Sequence, residues 1–248
     1  KVKSCKPKEG SDLEKFYPTQ FLSTARDIIN LWVARMIFSG LEFMGEAPFQ
    51  DVFIHPTGLA KSGQRMSKSL GTGIDPLVLI EKYGADATRF GLIYQMMGGQ
   101  DMKFDESHLL AGKKFCNKLW NISRFVLTNA GGEFSSLENA PPPENAENKI
   151  ITDKLKEIIA SANRDIENFN FGQALHTIYD FIWHDFADKY IEYSKTKTDK
   201  ETKQVLVFVL ANFLKLLHPF MPFITEEIWG ELPLKEKKLL IVETWPRY

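Results

Sequence analysis

The stretch "GQRMSKSLGTGIDP", residues 63–76, sets Arg65, Ser67, Lys68 and Ser69 between Gly63 and the run Gly71-Thr72-Gly73. Cationic heads and hydroxyl donors at this density, hinged by glycine on both sides, can fold over phosphate groups. Lys61, just upstream, adds another cation. The pattern G-x-x-x-x-G-K-[ST] does not occur, so any grip on phosphate would come from side chains rather than from a P-loop's backbone cradle. A solvated basic turn has the same composition. Arg65, two residues before Ser67, also fits the preference of basophilic kinases.

A second group lies further along. Lys114, Asn117, Lys118, Asn121 and Arg124 recur at i, i+3, i+4, i+7 and i+10, opposite an apolar face. Such a row can track phosphates while the Asn side chains reach bases, and a plain solvated face would look alike. Trp120 and Trp183 lie on or beside apolar faces and read as core. Cys5 and Cys116 stand far apart with no C-x-x-C, which argues against a zinc site or a disulfide framework and suits a reducing compartment.

The elements that must position these groups follow from spacing. The chain has 248 residues, 44% hydrophobic and 25% charged, enough for one large or two modest cores. Its 31 Lys+Arg against 32 Asp+Glu leave a net charge of -1, so a polyanion surface would have to be a local patch. No apolar run approaches the roughly 18 residues of a membrane span. Thr19 to Phe38 reads as a mostly buried helix closed by Gly40, and "DVFIH" (51–55) as a strand bounded by prolines. Asp75-Pro76 is a helix start, with Asp as N-cap and Pro at N1; Gly84 stops that helix, and Asp86 can cap the next.

Beyond Phe104 only helices are expected. Leu109, Cys116, Leu119, Trp120, Ser123, Val126 and Leu127 line one face of the first. "SSLENAPPPENAEN" is a polar, proline-rich connector. Three amphipathic segments follow, from Ile151 to Ile166, Leu175 to Phe186 and Val205 to Leu217, making a bundle of four. "HPFMPFITEEIW" breaks at Pro219 and Pro222 and restarts a short helix.

"RMSKS" followed by "LGTGIDP" resembles the K-M-S-K-S signature of class I aminoacyl-tRNA synthetases, and its surroundings resemble the valyl-tRNA synthetase family. The likeness runs through "KFYPTQFLSTARDIINLWVARMIFSGLEFMGEAPFQDVFIH", "IDPLVLIEKYGADATRFGL", "KFCNKLWNISRFVL", "YDFIWHDFADKYIEYSK" and "LLHPFMPFITEEIW", in that order. It implies an α/β Rossmann-type remnant, the C-terminal part of the catalytic domain with its stem-contact region, over residues 1–104. An all-α anticodon-binding bundle over 105–248 would follow.

The implied activity is valine-tRNA ligase chemistry. A valine carboxylate attacks the α-phosphate of ATP to give aminoacyl-adenylate and pyrophosphate, and the acyl group then passes to the 3′ end of tRNA(Val), with Mg²⁺ accompanying ATP. Lys68 and Arg65 take the catalytic positions. Arg65 stands where the family has its first lysine, and Thr72 where asparagine is usual. Met66, Ser67 and Ser69 complete the ATP loop. Asp27 falls where a ribose is held, beside Trp32, with Ala25 and Arg26 replacing a glycine and an aromatic. His55 matches a histidine at a strand end. Lys114, Asn117, Lys118, Asn121 and Arg124 would meet tRNA. The resemblance implies a cytoplasmic monomer. The chain begins at Lys1 rather than Met, and it has neither H-x-G-H nor an editing insertion, so it is expected to be a piece that does not make adenylate alone. A non-catalytic tRNA-binding module and an isoleucyl or leucyl relative are the alternatives.

Overall fold

The computed structural model describes residues 7–67, 71–130, 145–234 and 238–247. They form two compact units. One comprises the described residues up to Leu59 with Gly99–Met102; the other comprises Ala60–Gly98 and the described residues from Lys103 onward.

In the first unit, helix α1 (Asp12–Phe16) is capped by Ser11 and leads into strand β1 (Thr19–Ala25). A 3-10 turn (Arg26–Ile28), a π-helical turn (Ile29–Val33) and helix α2 (Ala34–Phe43) follow, and strand β2 (Phe49–His55) closes the unit. β1 and β2 are parallel, in register from Thr19 against Phe49 to Ala25 against His55. This is the strand, helix, parallel strand unit of a doubly wound sheet.

The expected helix over Thr19 to Phe38 is therefore corrected for its first seven residues. TQFLSTA carries two threonines and a phenylalanine that suit a pleat, and Phe21 stacks near Phe53 at 6.3 Å across the ladder. The helical run is not mostly buried either, since Leu31, Trp32 and Phe38 are exposed. Gly40 lies inside α2 instead of ending it. A Cβ there would collide with the Tyr17 hydroxyl, which donates to the Glu46 carbonyl at 2.7 Å.

In the second unit, helix α3 (Pro76–Tyr83) starts as expected, with the Asp75 carboxylate accepting from Leu77 N–H and Pro76 in the first turn. Gly84, at φ +93°, ends it and opens helix α4 (Ala85–Tyr94). Helix α5 (Ser107–Asn129) follows. Residues 131–144, most of the expected connector, lie outside the described residues; its last residues are helical, with Asn145 capping helix α6 (Ala146–Glu167). Helix α7 (Phe171–Asp180) runs on through an 11-residue π-helical stretch (Phe181–Ile191) into α8 (Glu192–Ser194). Helices α9 (Lys200–Leu217) and α10 (Pro222–Glu231) complete the bundle.

The core is aromatic and aliphatic, with Phe115, Phe186, Phe208 and Phe213 fully buried. α9 is buried all round, from Val205 to Leu214 without a break, so it is the central helix rather than the amphipathic one its spacing suggested. A buried polar link crosses the core beside it. Tyr190 donates to Asn148 Oδ1 at 2.6 Å, and Asn148 Nδ2 donates to Thr202 Oγ1 at 3.4 Å.

Asp86 does not cap its own helix. Buried in the first turn of α4, its carboxylate accepts from Phe223 N–H (3.2 Å) and Ile224 N–H (2.6 Å), the orphan donors at the start of α10. Three residues on, Arg89 donates to the carbonyls of Pro219 (2.7 Å) and Phe220 (3.1 Å), just past the end of α9. Asp86→Ala leaves two donors unmet in a buried corner and should lower stability by about 2 kcal/mol, read as a lower urea midpoint.

His218 sits in the same corner. Its Nδ1 lies 2.8 Å from the Thr225 hydroxyl, and its buried Nε2 has no hydrogen-bond partner among the described residues. Burial pushes the imidazole below its ordinary pKa, against the opposing pull of the Glu226 and Asp86 carboxylates. The unfolded side chain takes up a proton near pH about 6.5, whereas the folded one does so only at lower pH. Stability should thus be lost as pH falls from about 6.5 towards the folded pKa, and His218→Gln should flatten that part of the curve of unfolding free energy against pH.

Candidate functional site

Two places gather the sequence-predicted site residues, one in each unit. In the first, β1 and β2 are parallel and end together at Ala25 and His55. Asp27 follows within the 3-10 turn just past β1, exposed to solvent. Asp27 and His55, which are 28 positions apart in sequence, thereby lie at the carboxyl ends of adjacent parallel strands. In open α/β sheets that is where ligands are received. His55 is half-buried, with Nδ1 3.1 Å from the Pro56 carbonyl. Trp32 lies in the π-helical turn beyond and is exposed.

Two neighbours that the spacing did not single out complete this edge. Arg26, the residue replacing the family's aromatic, donates to the Gly99 carbonyl at 3.3 Å and stands 3.9 Å from Asp101. Asp101 in turn accepts from Thr57 N–H at 3.1 Å, and Met102 N–H donates to the Thr57 carbonyl. The turn at 99–102 is thus fastened to both strand ends. Thr24 is buried in β1, and its hydroxyl has no hydrogen-bond partner among the described residues. Neither role could be read from the sequence, because each depends on what lies across the fold.

In the second unit the RMSKS segment has an anchored stem. Met66 is half-buried against Leu79, Phe104 and Leu109, with Tyr83 and Leu92 alongside. Its role is packing, and it fixes where the loop leaves the helices. Arg65 beside it is exposed and engaged. Lys68 and Ser69 lie outside the described residues.

The two ends of that loop are joined through Ser67 and Thr72. Ser67 N–H donates to Thr72 Oγ1 at 3.0 Å, and Thr72 Oγ1 lies 3.4 Å from the Ser67 carbonyl. The same carbonyl accepts from Thr72 N–H and Gly73 N–H, each at 3.2 Å. Gly71, at φ +66°, supplies the left-handed residue this reversal needs. Threonine can play this part because its hydroxyl both accepts and donates. Lys61 contributes more weakly. The Glu106 carboxyl is held below the usual range chiefly by hydrogen bonds from Lys82 and then Tyr83, with Lys61 as a lesser, longer-range influence.

The third group, on α5, divides. Lys114, Asn117, Asn121 and Arg124 are exposed, as the spacing anticipates. Lys118 is committed: its Nζ is 2.7 Å from Asp188 and lies 4.2 Å above the Trp183 ring. That contact, followed by His184, lowers the Asp188 pKa. Trp183 packs on the core, but Trp120 is 41% exposed, which corrects its reading as core. Burial pushes the Cys116 thiol up to about 12, so it is a packing residue and not a nucleophile.

The comparisons with known proteins agree with this geometry. Residues 3–105 match the family model "tRNA synthetases class I (I, L, M and V)", and residues 148–248 match "Anticodon-binding domain of tRNA ligase". The chain belongs to the class I tRNA synthetases of that group. Within the group it is similar to valine–tRNA ligases. It is 44% identical to that of Petrotoga mobilis over 98% of this chain, and 46% identical to that of Thermotoga maritima over 97%. It spans 28% of the length of each. Among solved structures, a LeuRS of Agrobacterium radiobacter in ternary complex with tRNA and LeuAMS superposes with a TM-score of 0.77 at 23% identity. The match covers 94% of this chain and 29% of that one. The mostly helical fold, with a small parallel strand pair, is the fold of that class.

Thr72→Val removes the hydroxyl from the loop closure while keeping its shape. Amide exchange at Ser67 should quicken about 5-fold, the equivalent of about 1 kcal/mol, and Thr72→Ser should restore most of the protection.

Proposed function

We propose that this chain is part of a valine–tRNA ligase, contributing the phosphate-gripping loop and the tRNA-binding helices to ATP-dependent activation of valine and its transfer to tRNA(Val). The observation that carries the reading is the RMSKS loop. Its stem is pinned by Met66 and closed at Ser67 and Thr72, in a chain that aligns over 98% of its length with valine–tRNA ligases.

On this reading residues 1–104 end the catalytic domain and 105–248 bind the anticodon arm. Asp27 accepts hydrogen bonds from the ribose of ATP, and His55 borders the same edge of the sheet. Lys68 and Arg65 neutralise the charge that gathers on the phosphates as the bond to pyrophosphate breaks, while Ser67 and Ser69 donate to phosphate oxygens. A contact completed only at that stage favours the transition state over bound substrate. Among the described residues no group of three or more His, Cys, Asp or Glu is placed to hold a metal. Mg²⁺ would therefore come coordinated to the phosphates of ATP, keeping several of its own waters.

In the full-length protein, Lys68→Ala should slow valine-dependent pyrophosphate exchange by about 10² to 10³ with little change in valine affinity; undiminished exchange would remove Lys68 from the chemistry. The identity of the partner is tested by filter binding against a panel of tRNAs. Selective retention of tRNA(Val) supports the valine reading, preference for an isoleucine or leucine acceptor replaces it, and retention of none overturns tRNA binding.

A further inference from the structure

Helix α5 is chemically one-sided in a way the whole chain is not. Its 23 residues include Lys113, Lys114, Lys118 and Arg124 and not one Asp or Glu, in a protein whose net charge is -1. Trp120 stands on the same exposed side, 41% accessible. Asn117 and Arg124 lie one turn to either side of it, and Lys113 a further turn back, so all four share one face. Among the described residues, no hydrogen bond, ion pair or ring contact engages the side chains of Asn117, Trp120, Asn121 or Arg124. Trp183 makes an instructive contrast: it is half-buried, with Lys118 set over its ring.

We infer that Trp120 is a stacking platform for an unpaired base of the bound tRNA, with Arg124 and Lys113 on the flanking phosphates and Asn117 on the base edge. This rests on the proposed function for the presence of tRNA, and adds to it a residue and a mode of contact. An exposed indole ringed by amides and cations is the chemistry by which proteins hold splayed-out RNA bases. A protein partner is less well suited, because interface cores that bury Trp are depleted in lysine. Paired RNA is likewise less well suited, since its bases offer no free face to stack.

The test titrates tRNA into the protein and its Trp120→Phe and Trp120→Leu variants at fixed salt, reading filter binding and tryptophan fluorescence. Loss of one stacked base, worth about 1–3 kcal/mol, should weaken binding of Trp120→Leu about 5- to 150-fold, with Trp120→Phe falling between it and the wild type. The slope of affinity against salt should stay unchanged, because no phosphate contact is removed. RNA should quench wild-type fluorescence, and that component should vanish in Trp120→Phe. If the wild type binds while both variants bind equally well and the quench persists, stacking at Trp120 is overturned and the proposed function stands. If the wild type retains no tRNA, both fall.

Discussion

The helical unit turns on a two-handed grip by one turn of α4. Asp86 meets the unsatisfied donors at the start of α10, and Arg89 meets carbonyls just past the end of α9. Opposite charges three residues apart thus match the opposite polarities of two helix ends. Because α4 also packs against α5 and carries Phe90 into the core, everything that follows the loop is held to the bundle. The stem of the RMSKS segment inherits that rigidity through Met66. A loop meant to move over a substrate gains from being mobile only between fixed ends.

Much of this was legible in the sequence where local chemistry decides local structure. Asp75-Pro76, Gly84, the DVFIH strand and the bundle helices depend on capping, backbone freedom and 3.6-residue spacing, which a linear reading captures. The failures share a cause: each was settled by a distant partner. TQFLSTA became a strand because β2 lies beside it. Asp86 caps α10 rather than its own helix because folding brings residue 223 to it. Trp120 and Trp183 have similar local surroundings in sequence, yet one is exposed and the other packs beneath Lys118. For the site, the RMSKS loop and the exposed face of α5 were readable as residue types. The Thr72 closure and the convergence of Asp27 with His55 required the fold.

The structure also sorts cations that composition treats alike. Lys82, Lys118, Lys189 and Lys195 each hold a carboxylate within 2.7 Å or less, so their charge is largely answered within the protein. Arg89 is spent on backbone carbonyls. What remains on α5 is a shorter list than the sequence row, but a more concentrated one, with a net charge near zero elsewhere to keep it distinct. Local imbalance of this kind steers a polyanion to one face more effectively than a diffuse excess would.

The π-helical stretch from Phe181 to Ile191 bears on how the bundle can change by insertion or deletion. Such a stretch carries more residues per turn than its neighbours, and it presents Trp183 and Asp188 to Lys118 while turning Tyr190 inward to Asn148. Removing a single residue from it would let ordinary α-helical phase return, swinging everything downstream by about 100°. The Tyr190 hydroxyl would then face away from Asn148, leaving a buried amide short of a donor. Length, as much as chemical identity, is therefore what this segment must keep.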